Sequence, residues 1–107
     1  MSAAILLMLA ATDEVTPPVR AEICHAQIMV MIEDDMSQTG RVAGPSWFVR
    51  DWWANRLTDA ESDASRQAEV RAIVRAFRIA DPEGSDAERK ACVDEAIEAG
   101  AVPGRKG

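Results

Sequence analysis

The sequence has no tyrosine, one histidine, two cysteines and five aromatic residues in all. Each scarcity removes a class of function. A lone histidine, His25, cannot supply the histidine pairs or triplets of catalytic zinc sites. It follows Cys24 directly, and helical neighbours point about 100° apart, so a Cys–His couple would have to be built from His25 and the distant Cys92. Cys24 and Cys92 form neither a CxxC pair nor a zinc-finger spacing. No Gly-rich phosphate loop and no GxSxG elbow is present. Paired carboxylates occur only in acidic runs on predicted helix surfaces, where nothing raises a pKa for acid–base work. The sequence therefore assigns no catalytic, metal-ligating or cofactor-binding residue.

Cationic charge and long apolar runs are also scarce. A net charge of −6 disfavours general binding to nucleic acid and to anionic membrane surfaces. The longest apolar run, Ala3 to Ala11, is too short to cross a bilayer as a helix, which takes about 20 residues. It matches the hydrophobic part of a secretory leader, with Ala10 and Ala11 as small residues near a cleavage point, although only Met1 and Ser2 precede it and the basic n-region is missing. Otherwise it is a strand or helix packed on the core. β-Branched runs are few while Ala, Glu and Arg abound, a composition that favours helix. With 107 residues, 48% hydrophobic and 28% charged, the chain fits one small globular domain.

What is present concentrates in one stretch. Gly44 to Leu57, GPSWFVRDWWANRL, holds four of the five aromatic residues. Pro45 suits a first helical turn and Ser46 is placed to cap it. At 100° per residue Phe48, Val49, Trp52, Trp53 and Leu57 share one broad arc, opposite Arg50, Asp51, Ala54 and Asn55. Phe48, Trp52 and Trp53 are thus expected in the core. Two residues break the pattern: Trp47 projects to the polar side and Arg56 into the apolar arc. Trp and Arg dominate interface hot spots, so Trp47 and Arg56 are the candidate partner-binding residues, marking a groove for an acidic or aromatic partner.

Three further helices follow from periodicity and capping. Thr12 to Pro18 reads as a linker closed by two prolines. Pro18 to about Ser37 carries an apolar stripe of Val19, Ile23, Ala26 and Val30, widened by Ile28, Met31 and Ile32. Thr16 is its expected cap and Met29, Met31 and Met36 its gap-fillers. Ile28 to Ile32 also suits a short strand, but no matching strand exists elsewhere. Glu33, Asp34 and Asp35 form an acidic end opposed by the helix dipole, expected to be solvated or to attract Arg56 or a cation. Thr58 and Glu61 match a capping box opening a helix that reaches about Ala80. That helix has an apolar stripe of Val70, Ile73, Val74 and Phe77 and a solvent-facing row of Arg71, Arg75 and Arg78, a candidate strip for an acidic segment. Ser85 and Glu88 match a second box, Cys92, Val93, Ala96 and Ile97 give the last helix its apolar face, and Gly100 terminates it.

These elements predict an all-α bundle of about four helices with antiparallel packing, spanning 17–100, between an apolar leader and linker (1–16) and a flexible tail (101–107). A Cys24–Cys92 disulfide would tie its first and last helices, which fits export to an oxidising compartment; in the cytosol both would be buried thiols. The expected function is non-enzymatic: binding or stabilising a protein partner in the cell envelope, periplasmic or secreted. The competing expectation is an intracellular helical adaptor that docks through the tryptophan-rich helix.

Overall fold

Side-chain caps start the last two helices, and they depart in detail from the sequence pattern. The computed structural model describes residues 15–105, which form α1 (Arg20–Thr39), α2 (Gly44–Ala54), α3 (Ala64–Ala80) and α4 (Pro82–Glu98). No strand occurs among the described residues, so Ile28 to Ile32 is helical. The expected leader and the start of the linker lie outside the described residues, as do the last two residues of the tail.

Thr16 does not cap α1. The Val19 amide donates to Glu22 Oε1 at 3.1 Å, and the Thr16 carbonyl instead accepts from Arg66 Nη2 at 2.9 Å. Ser46 does not cap α2 either; it lies buried inside the first turn, which has no side-chain cap. The Thr58/Glu61 box forms, with reciprocal bonds of 3.0 and 3.2 Å, but it closes a turn ahead of α3. The helix itself starts after Asp63, whose carboxylate accepts from the Ser65 and Arg66 amides. An ionised carboxylate is a stronger acceptor than a hydroxyl and also complements the helix dipole. The same preference operates at α4, where Asp81 accepts from Gly84 N at 3.0 Å. Ser85, expected as the cap, is buried within that helix and receives the Gln27 amide at 3.2 Å.

The C-terminal end follows the expected glycine stop. Gly100 sits at φ 90°, its amide bonded to the Ile97 carbonyl and the Ala101 amide to the Ala96 carbonyl, the paired bonds of a Schellman motif. The motif turns the chain back onto the bundle. Val102, assigned by sequence to a frayed tail, is only 5% exposed and joins the core. Apolar contact following a Schellman turn is what holds it.

Helices adjacent in sequence are antiparallel, as the short connections predict, which sets α1 and α3 parallel, and these two pack directly on each other. Glu22 binds Arg66 and Asp34 binds Arg78, both pairs separated by 44 positions, and Ala26 and Val30 share a cluster with Val70 and Val74 at that same offset. α1 packs on all three other helices, whereas α2 and α3 do not touch each other. The larger core joins Cys24, Ile28 and Ile32 of α1 to Val49 and Trp53 of α2, Cys92 and Ala96 of α4, and Val102. The Cys24 and Cys92 sulfurs lie at bonding distance, with Cα atoms 5.3 Å apart, so a disulfide ties α1 to α4.

The acidic end of α1 and the arginine row of α3 stay partly exposed but do not stand free in solvent. They face each other: Glu33 is 2.8 Å from Arg75, Asp34 is 3.2 Å from Arg75 and also pairs with Arg78, and Arg71 approaches Glu33 at 3.6 Å. The acidic segment expected to dock on this strip belongs to the same chain. Parallel helices place two negative dipole ends side by side, and α3 supplies the cations there.

Candidate binding surface on the second helix

α2 divides its aromatic residues between core and solvent. Trp53 is 2% exposed, and its indole N–H donates to the Cys92 carbonyl at 3.0 Å, beside the disulfide. Trp52 packs edge-on to Trp53 with ring centroids 4.8 Å apart and remains half-buried. Phe48, expected in the core, is 46% exposed. Trp47 is exposed as expected, at 39%. Helical projection places Phe48 in the apolar arc, but α2 packs only on α1 and α4, and Val49 and Trp53 already fill that contact. An arc wider than its contact leaves its edge in solvent.

Arginines cover part of this surface. Arg50 Cζ lies 4.8 Å from the Trp47 ring centroid, and Arg56 Cζ lies 3.2 Å from that of Trp52. Arg56 also donates to the Trp52 carbonyl at 3.0 Å. It forms no ion pair with a carboxylate among the described residues, and the acidic end of α1 is engaged by α3 rather than by Arg56. Arg50 is neutralised by Asp51 at 2.6 Å. Arg56 follows the end of α2 and lies over Trp52, whereas Trp47 sits in the first turn under Arg50, so the two belong to separate cation–π pairs. Phe48 and Arg50 complete the surface. The i, i+3 spacing of Trp47 and Arg50 and the i, i+4 spacing of Trp52 and Arg56 are the sequence signals for these pairs.

Elsewhere, among the described residues, every buried side-chain polar atom has a hydrogen-bond partner. An open cleft of about 420 Å³ at the end of the bundle is lined by Glu22, Glu61, Glu69 and Arg66 among others. Within it Arg66 Nε donates to Glu22 Oε2 at 2.7 Å. That hydrogen bond outweighs burial and holds the Glu22 carboxyl below the usual range. Asp34 is raised by burial, but hydrogen bonds and charge from Arg75 and Arg78 prevail and lower it. Neither carboxyl is set up to hold a proton near neutrality. His25 is buried, and burial, then the charges of Arg50 and Arg71, depress its pKa. Among the described residues no group of three His, Cys, Asp or Glu side chains is placed to hold a metal ion. No described helix is long and apolar enough to cross a membrane. No family model matches the chain, and no curated protein or solved structure matches it.

Proposed function

We propose that this domain is a non-enzymatic binding or stabilising protein of the cell envelope or extracellular space, docking a protein partner through the outer face of α2. The observation that carries the reading is the exposure of Trp47 and Phe48 side by side on a helix whose inner face is already filled. The partner segment is acidic and apolar. Arg56 is the cation of this face without a carboxylate of its own among the described residues, and the −6 net charge of the chain repels acidic segments elsewhere. The Cys24–Cys92 pair supports an oxidising compartment.

A photo-crosslinking residue at position 48, in the native host, tests the docking face, with position 79 as control because Ile79 is 85% exposed on a different helix. One discrete protein adduct is expected at 48, none at 79, and Arg56→Glu should remove it. Equal labelling at both positions, or none, would overturn the reading. Intact mass with and without reductant tests the compartment separately: oxidised cysteines support it and free thiols in the native protein count against it.

A further inference from the structure

A small cavity of about 220 Å³ lies where the start of α2 meets α1 and α4. Met31, Val49, Val93 and Ile97 make its walls apolar, and Pro45 and Ser46 bring the first turn of α2 to its edge. Pockets for drug-sized ligands run to about 300–1,000 Å³, so this one suits a narrow aliphatic chain. Its polar lining is one-sided. Arg105 reaches it from the C-terminal segment, held by a turn in which the Arg105 amide donates to the carbonyl of buried Val102 at 3.1 Å. The Arg105 guanidinium has no carboxylate within ion-pair distance among the described residues. The first turn of α2 adds no charge of its own at the cavity: Pro45 has no N–H and the Ser46 amide donates to the Ala43 carbonyl at 2.9 Å.

We propose that this cavity binds a medium-chain aliphatic monocarboxylate. The chain lies against Met31, Val49, Val93 and Ile97, and the carboxylate is drawn to Arg105. Apolar walls select the chain, and a guanidinium with no carboxylate partner among the described residues selects the charged head. The site is independent of the exposed face of Trp47 and Phe48.

The test is an NMR titration of the whole protein with octanoate, using octanol as the uncharged control. Saturable shifts are expected at the amides of Ser46, Val49 and Ile97, with octanol binding roughly tenfold more weakly. Arg105→Gln, at an exposed position where folding is unaffected, should weaken octanoate several-fold and leave octanol unchanged. Val93→Phe, which fills the cavity, should abolish both, with the helical circular dichroism signal retained as evidence of folding. No octanoate-dependent shift at these amides, equal affinity for octanol, or an unchanged octanoate affinity in Arg105→Gln would each overturn the proposal.

Discussion

Trp53 shows how much one side chain can carry in a domain this small. Its ring fills the contact between α2 and the disulfide-linked helices, and its N–H satisfies the Cys92 carbonyl. Trp53→Phe keeps much of the apolar area but removes the indole donor and leaves that carbonyl only its bond within α4, at a cost of about 0.5–1.5 kcal/mol. The urea midpoint should fall accordingly with the m-value unchanged. His25 is the second residue with a distinct expectation. Arg50 and Asp51 of α2 and Arg71 of α3 act on it electrostatically, while Glu22 and Glu61 line the small void beside it. Its folded pKa is depressed, so below about pH 6.5 the unfolded chain takes up a proton that the folded chain resists, and stability falls as pH falls. Glu22 and Asp34 act in the same direction at lower pH. Their stabilisation is complete above about pH 4.3 and is lost as pH drops through their lowered folded pKa values. Urea midpoints measured across pH should therefore decline in two stages, and His25→Gln should remove the first stage alone.

Helix faces, at the next scale, are decided by neighbours as much as by period. α1 is buried around most of its circumference because three helices pack on it, whereas α3 presents only Val70 and Val74 as fully buried residues. Ile73 belongs to the same apolar stripe by sequence and yet is 40% exposed. Truncation separates the two situations. Ile28→Ala, in the α1 core, should cost about 2–5 kcal/mol, whereas Ile73→Ala should change stability by no more than about 0.5 kcal/mol in thermal or urea unfolding. The link between α3 and α4 is equally compact. Asp81 ends one helix by donating its amide to the Phe77 carbonyl at 2.7 Å and starts the next by capping Gly84. A Cβ at position 84 would collide with that carboxylate, so any larger residue there would displace the Asp81 cap.

The whole molecule depends on a covalent tie as well as a core. Cys24 and Cys92 close a loop of 68 positions around α1 to α4. Restricting the unfolded chain over that length contributes on the order of 4 kcal/mol. Reduction, or Cys24→Ala with Cys92→Ala, should lower the unfolding free energy by about that amount, as measured by urea titration with and without reductant. That fraction is large for a domain of this size, whose total stability is of order 5–15 kcal/mol.

Local chemistry by itself determined the all-α class, the four helices, the Gly100 stop and the exposure of Trp47. These follow from spacing, proline and glycine placement and the absence of partner strands, all of which act over a few residues. The sequence also brought Cys24 and Cys92 forward as the pair, since they are its two cysteines. Only the tertiary structure decided that α1 and α3 pack directly on each other, that Glu33 and Asp34 meet Arg75 and Arg78, that Phe48 stays in solvent and that Val102 returns to the core. Each of those depends on which face another helix covers. A charge row and an acidic helix end look solvated when read singly, because their pairing spans more than forty residues and is set by the register between two helices.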